Sequence, residues 1–214
     1  MSTIQAIALL GYLALLVYTV KNVNISRLFS ERRLQHFVFG AAASLFMLWF
    51  FRTGIYEGLT VHFLWLTACV LLLGLRWAIL SSSLALLGLT IAGLEPWSML
   101  GVNGLLGVVA PLALSYAIYS LSFHRLPKHF FIYIFVCGFF AGLASLTLKM
   151  GLLGGYYTLT GIHDWDIVQD NYLILIPLLL FPEGLLNGMT MTLLIIYKPH
   201  WVYTFHDKFY IDGK

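Results

Sequence analysis

Charged residues are scarce in this chain of 214 residues, because Asp, Glu, Lys and Arg together make up only 10% of it. A typical soluble domain carries about 25%. Hydrophobic residues make up 60% of the chain, and its mean hydropathy is +0.88. A water-soluble fold of this size cannot hide so much apolar surface, since much of any globule must face water. The shortage of charge therefore excludes an ordinary soluble domain and predicts a protein dissolved in lipid.

Cysteine is also rare, and the two cysteines of the chain lie inside apolar runs without a CxxC spacing. Cys69 and Cys137 are therefore expected to be small buried hydrophobes rather than a disulfide or a metal site.

Catalytic and nucleotide-binding motifs are missing as well. No Walker A, HExxH or GxSxG stretch occurs in the sequence, so the chain is not expected to hydrolyse ATP itself or to be an enzyme. The net charge of +3 resides in short loops between apolar runs, which is typical of membrane topology and not of nucleic-acid binding.

What the sequence does contain is a series of long apolar runs. A helix needs about 20 apolar residues to cross the hydrocarbon layer. We therefore predict an all-α polytopic bundle of about seven transmembrane helices in one integral membrane domain. The fourth run is short, and Ser81, Ser82 and Ser83 before it fit either a tight turn or a break in a longer helix. The predicted spans are residues 4–20, 35–51, 59–80, 84–94, 100–121, 130–148 and 173–197.

Charge asymmetry orients this bundle. With seven spans, the first loop, the loop at 122–129 and the tail share one side, and all three are basic. The positive-inside rule assigns that side to the cytoplasm. We expect a bacterial inner-membrane protein with a periplasmic N-terminus, a cytoplasmic C-terminus and an external loop at 151–171. The tail bases are Lys198, Lys208 and Lys214, and the charges assigned to the outer side are Arg52, Glu57, Glu95, Lys149, Asp164, Asp166 and Asp170.

Polar side chains at membrane depth are the candidates for function, because burying them is costly unless they are paired or useful. His62 near the outer end of the third span is either a metal ligand or a helix-start histidine bonded to a carbonyl. Asn103 at the start of the fifth span is either a cap or a ligand-positioning amide. Glu183, which follows a helix-kinking Pro182, is either part of a cation path or a bond between helices.

Residues 58–119 resemble the CbiM/NikM-type membrane subunits of energy-coupling-factor cobalt and nickel importers. The similarity is carried by His62-Phe63-Leu64, by Leu100-Gly101-Val102-Asn103 and, further on, by Phe181-Pro182-Glu183-Gly184. The resemblance implies a CbiM-like core at 58–198, preceded by an extra N-terminal region at 1–57 and followed by a short cytoplasmic tail at 199–214.

The resemblance further implies a permease or substrate-capture subunit of an ABC-type importer, with a transition-metal ion such as cobalt or nickel as cargo. Its implied partners are membrane lipid, other membrane subunits and cytoplasmic ABC ATPases. His62 matches the family's inner metal-binding histidine, so the implied metal site comprises His62, Asn103 and Glu183. The family's other ligands come from a Met-His-Ile start, whereas this chain begins Met1-Ser2-Thr3.

A second hypothesis is a non-transporting accessory subunit, packed on a larger metalloenzyme or respiratory complex. The missing Met-His start favours it, and so does the aromatic stretch 201–205, since Trp and Tyr anchor chains at partners and at membrane interfaces.

Overall fold

A computed structural model describes residues 1–206 and 210 of the chain, and they form a bundle of helices. No β-strand occurs in this part of the chain, which contains one isolated antiparallel bridge between Thr53 and Val61. The predicted all-helical architecture is therefore confirmed. Lys208 and Lys214 of the predicted basic tail lie outside the described residues. The helices are α1 (Thr3–Lys21), α2 (Ile25–Ser30), α3 (Arg32–Phe50), α4 (Leu66–Leu73), α5 (Leu75–Ile91), α6 (Trp97–Arg125), α7 (Phe130–Leu159), α8 (Trp165–Asn171) and α9 (Ile176–Tyr197).

Several of these helices are long and apolar enough to cross a membrane. Among the described residues, four helical segments meet that description: α1, α6, α7 and the stretch Trp165–Tyr197 that includes α9. Helix α5 is a shorter apolar helix, and α3 has 19 residues beginning with two arginines. The chain is thus a multi-pass membrane protein. The predicted count of seven spans is not confirmed, because α4 has only 8 residues.

The break between the predicted third and fourth spans lies at Gly74 instead of at the serines. Residues 59–65 are not helical, α4 begins at Leu66, and Gly74 with φ +78° separates α4 from α5. Ser81, Ser82 and Ser83 lie inside α5. A left-handed backbone angle favours glycine, and a Cβ at this position would stand 2.9 Å from the Tyr203 ring.

Helix α7 is longer than its apolar run indicated. The predicted sixth span ended at residue 148, yet α7 continues to Leu159, and α8 occupies much of the remaining predicted loop. Gly154 lies in this extension, where a Cβ would come within 3.1 Å of Val168 and Leu173. The glycine that suggests a loop in the sequence serves close helix packing in the fold. As a result, Lys149 lies inside a helix and is only 6% exposed.

Contacts between distant parts of the chain define one end of the bundle, here called the basic end. Arg76 donates to the Asn22 carbonyl at 2.9 Å, which joins the start of α5 to the end of α1. Arg33 donates to the His200 carbonyl at 2.6 Å, which joins the start of α3 to the segment after α9.

The opposite end, here called the acidic end, contains the start of α1. The Gln5 amide contacts the Met99 sulfur at 3.5 Å, and the His163 ring donates to the Glu57 carbonyl at 2.9 Å. The first residues of α1 and the last of α9 therefore lie at opposite ends of the bundle.

Helix α4 is enclosed by the other helices. Seven of its eight residues are buried, and it packs against α5, α6, α7 and α9. Its last carbonyls accept hydrogen bonds from the chain beyond α9, since Tyr203 N donates to Leu72 O at 3.1 Å and Thr204 N donates to Leu71 O at 3.2 Å. The tail therefore completes the C-terminal end of α4.

Candidate functional site

His62 lies in the non-helical segment that leads into α4. Thr53 and Val61 exchange two backbone hydrogen bonds, of 3.1 and 2.8 Å, which fold the intervening residues into a loop after α3. Trp49 of α3 fixes the chain beyond that loop, because its Nε1 donates to Leu64 O at 3.1 Å. Its ring also lies 5.6 Å from the His62 ring, centroid to centroid. His62 is therefore held half-buried inside the bundle.

The two ring nitrogens of His62 have different partners. Nδ1 lies 3.0 Å from the Phe63 carbonyl oxygen, and Nε2 lies 2.6 Å from the Lys149 Nζ. A carbonyl can only accept, so Nδ1 carries the hydrogen. In the neutral ring, Nε2 then presents its lone pair to the lysine.

A second polar group, around Glu95, lies beside this pair. Glu95 forms an ion pair with Arg52 and accepts a hydrogen bond from Asn103 Nδ2 at 2.7 Å. Arg52 Nε also donates to the Trp49 carbonyl at 2.9 Å. Asn103 begins a π-helical stretch of α6, Asn103–Val109, and such widened turns are frequent at functional sites.

Both groups line one small cavity of about 30 Å³. A water molecule needs roughly 10–15 Å³ measured in this way, so the cavity has room for one or two waters or a single ion. Its polar lining residues are Arg52, Thr60, His62, Glu95, Asn103 and Lys149, and its apolar lining includes Trp49, Leu86, Leu89, Val108 and Leu153.

A larger cleft of about 810 Å³ adjoins this cavity at the acidic end. Arg52, Gly58, Thr60 and Glu95 line both spaces. The Arg52–Glu95 ion pair therefore stands between the cleft and the cavity. Gly58 has φ +81°, and a Cβ there would run into the Tyr157 ring, so the boundary at this point requires glycine.

Glu183 has a different role, at the start of α4. Its two carboxylate oxygens accept the backbone N–H groups of Leu64 and Trp65, at 2.8 and 2.9 Å. Asn187 donates to the same carboxylate at 2.7 Å and accepts the N–H of Ala68 at 2.8 Å. An acid and an amide from α9 thus satisfy N–H groups that a helix start leaves without partners. This geometry matches the hypothesis that Glu183 bonds helices together.

The structure brings two of the three predicted site residues to one place. His62 and Asn103 line the same cavity, and Glu183 does not line it. Across residues 1–206 and 210, no group of three or more His, Cys, Asp and Glu side chains is arranged to hold a metal ion. A metal-binding role for His62, Asn103 and Glu183 therefore stays a prediction.

Four further residues of this region were not singled out from the sequence. Arg52, Glu95 and Lys149 were interpreted only as charges on the outer side. Asn187 was not considered, although its spacing of four residues from Glu183 places both on one face of a helix. That spacing, in an otherwise apolar run, is the feature that would have revealed the pair.

Comparison with known families matches residues 2–201 to CbiM, described as the cobalt uptake substrate-specific transmembrane region. The match spans nearly the whole chain, including residues 2–57, which the resemblance had left as an extra region. No significant match was found to a curated protein or to a solved structure. CbiM proteins are membrane components of metal uptake and not enzymes. On the family match and the multi-pass helical fold, the chain belongs to the CbiM family of cobalt uptake transmembrane proteins.

Proposed function

We propose that this chain captures a transition-metal cation, such as cobalt or nickel, at the outer face of a bacterial inner membrane. It would do so as the substrate-binding subunit of an energy-coupling-factor importer. The observation that carries the proposal is the position of His62, the residue that matches the family's inner histidine. It lines a cavity with room for one ion, next to a wide cleft.

The donor atoms around the cavity suit a transition metal. An imidazole nitrogen is the commonest protein ligand for such ions, and carboxylate and amide oxygens complete mixed nitrogen and oxygen sites. His62, Glu95 and Asn103 supply these three types. The volume of about 30 Å³ also argues against an organic solute bound at His62 inside this cavity, since small-molecule sites measure about 300–1,000 Å³.

The distribution of charge supports capture from the acidic end. Glu57, Glu95 and Arg52 line the cleft there, and Glu57 remains as a carboxylate beyond the Arg52–Glu95 ion pair. Carboxylates concentrate cations near a cleft. Arg33, Arg76 and His200 lie at the basic end, which the positive-inside rule assigns to the cytoplasm. The N-terminus is then periplasmic and the described part of the tail cytoplasmic.

Energy for transport must come from other subunits, because the sequence has no nucleotide-binding motif. Cytoplasmic ABC ATPases and a further membrane subunit are therefore the partners that the proposal requires, and they would bind at the basic end.

Equilibrium binding of Co²⁺ and Ni²⁺ to the protein in lipid nanodiscs tests the proposal. His62→Ala is expected to lower the affinity at least about tenfold, since even groups that only orient a ligand contribute 10- to 100-fold. His124→Ala is the matched control, because His124 is exposed and bonds Ser120 within its own helix. Equal affinities for wild type, His62→Ala and His124→Ala would show that His62 does not bind the metal.

The accessory-subunit hypothesis draws support from one contact. The His62 nitrogen that a metal would use is bonded to Lys149. Purification from native membranes separates the two hypotheses. Recovery with an ATPase and a small membrane subunit supports transport, whereas recovery with an oxidoreductase supports the accessory role.

A further inference from the structure

A lysine nitrogen stands where a cargo cation would meet His62. Lys149 Nζ lies 2.6 Å from His62 Nε2, and the lysine is buried, with 6% of its surface exposed. Within residues 1–206 and 210, no carboxylate oxygen lies within 4.0 Å of this nitrogen. A buried lysine is rare without a paired charge, so its position calls for a functional explanation.

We propose that Lys149 is a tethered cation that occupies the cavity when cargo is absent and determines which ions can enter. This inference rests on the proposed function, because it concerns the same cavity and the same histidine.

His62 has a single lone pair with which it can bind a metal ion. His62 Nδ1 faces the Phe63 carbonyl, so Nε2 is the ring nitrogen that can bind a metal. Nε2 already accepts from Lys149. One lone pair cannot serve an N–H group and a metal ion together. A metal ion therefore binds His62 only after the lysine has withdrawn.

Lys149 is held weakly enough to withdraw from His62. An ammonium group has three donors, and in the described part of the chain His62 is the one hydrogen-bond partner of Lys149. By contrast, the neighbouring Arg52 is held by both Glu95 and the Trp49 carbonyl. The lysine stem carries four flexible carbons, and Gly107 leaves it room, since even an added Cβ there would lie 3.9 Å from Lys149 Cε.

The need to displace Lys149 also makes the cavity selective among cations. An incoming ion binds only if the free energy of its bond to the His62 nitrogen exceeds the free energy lost when the lysine leaves that nitrogen. Co²⁺ and Ni²⁺ bind imidazole strongly, whereas Mg²⁺ and Ca²⁺ prefer oxygen ligands and gain little from it. Lys149 therefore excludes hard cations, because their binding free energy is too small to displace it from His62. Without Lys149, the oxygen atoms of Glu95 and of the Asn103 amide would offer Mg²⁺ and Ca²⁺ a binding site.

Replacing the charge and keeping the volume tests the proposal. Lys149→Met removes the cation, and Lys149→Arg is the control that keeps one. Binding of Co²⁺, with and without competing Mg²⁺, is measured on the full chain in nanodiscs. Lys149→Met is expected to bind Co²⁺ at least about tenfold more tightly than wild type, because the ion no longer has to displace the lysine from His62 Nε2 and no like charge remains nearby. Mg²⁺ is then expected to compete, whereas Lys149→Arg binds no more tightly than wild type.

The outcomes separate this inference from the proposed function. Weaker Co²⁺ binding by Lys149→Met would show that the lysine is a ligand, and unchanged binding would show that it does not compete; either result overturns the inference and leaves the capture function in place. A third outcome is that Lys149→Met binds Co²⁺, whereas wild type and the His62→Ala/Lys149→Met double variant do not. This result would support the competition between Lys149 and the metal for His62, and it would overturn capture by the wild type. Metal binding by neither protein would overturn both. Lys149→Gln replaces Lys149→Met if thermal unfolding shows the latter to be misfolded.

Discussion

Glu183 and Asn187 lie one turn apart on α9, and the amide of Asn187 donates to the carboxylate of Glu183 at 2.7 Å. Both side chains are buried, at 1% and 0% exposure, and together they accept three backbone N–H groups at the start of α4. The short helix that follows His62 is thus held in place by side chains from the last transmembrane helix.

Removal of this carboxylate should destabilise the fold. Glu183→Ala leaves the N–H groups of Leu64 and Trp65 buried without acceptors, and each such loss costs roughly 1–3 kcal/mol. We expect a clear drop in the free energy of unfolding, measured in detergent by tryptophan fluorescence. Thr192→Ala is the control, because Thr192 lies on the same helix and its hydroxyl donates to the Gly188 carbonyl one turn earlier. Equal losses in the two variants would contradict the capping role.

The Arg52–Glu95 ion pair should couple strongly, because it is shielded from water. Its side chains are 10% and 15% exposed, and removing one partner of a buried pair leaves an uncompensated charge. A double-mutant cycle with Arg52→Ala and Glu95→Ala should give a coupling energy of at least about 1 kcal/mol. The Arg27–Glu31 pair joins the same residue types at 61% and 45% exposure, and its cycle should give a coupling near the error of the measurement. Similar coupling energies for the two pairs would contradict the role of the Arg52–Glu95 pair as a firm boundary of the cavity.

The glycine at the cleft boundary should be intolerant of a side chain. Gly58 and Gly93 both have left-handed backbone angles, φ +81° and +76°, so alanine strains both positions. At Gly58 the added Cβ also meets the Tyr157 ring, whereas at Gly93 it has no neighbour within 4 Å in the part of the chain that the structure describes. We expect Gly58→Ala to lower the melting temperature more than Gly93→Ala, by the equivalent of about 1–3 kcal/mol. Equal effects would mean that Tyr157 moves aside without cost.

The proposed orientation predicts which introduced cysteines a membrane-impermeant maleimide can reach. Ile55 at the acidic end is 85% exposed, and Phe29 near the basic end is 77% exposed. Ile55→Cys should be labelled in intact cells, and Phe29→Cys only after lysis. The native Cys69 and Cys137 are buried and should stay unlabelled. The reverse pattern would overturn the import direction.

The sequence predicts the class of fold because apolar runs of membrane length leave few alternatives. It also indicates His62 and Asn103 as candidates for function, because a polar side chain in an apolar run is costly to bury unless it is paired or used. It could not show that they share a cavity, because His62 reaches it through a non-helical segment after α3. Helical periodicity carries no information about such a segment.

Lys149 illustrates a second limit of prediction from the sequence, which is the burial of a charged side chain. Several glycines follow it in the sequence, at positions 151, 154 and 155, and glycine indicates a loop when only local structure is considered. In the fold, Gly154 accommodates Val168 and Leu173, and α7 continues past the lysine. A contact between distant segments decides whether this charge is solvated or buried, and local sequence does not contain that contact.

The completion of α4 by distant residues has a consequence for biosynthesis. The N–H groups of Leu64 and Trp65, just before α4, and of Ala68 in its first turn bond to Glu183 and Asn187. The last carbonyls of α4 accept hydrogen bonds from the N–H groups of Tyr203 and Thr204. Both ends of α4 lack these partners until the C-terminal part of the chain has emerged from the ribosome, and unmet hydrogen-bonding groups are costly in a bilayer. We therefore expect the segment that leads from His62 into α4 to reach its final position only after the C-terminal part of the chain has been synthesised.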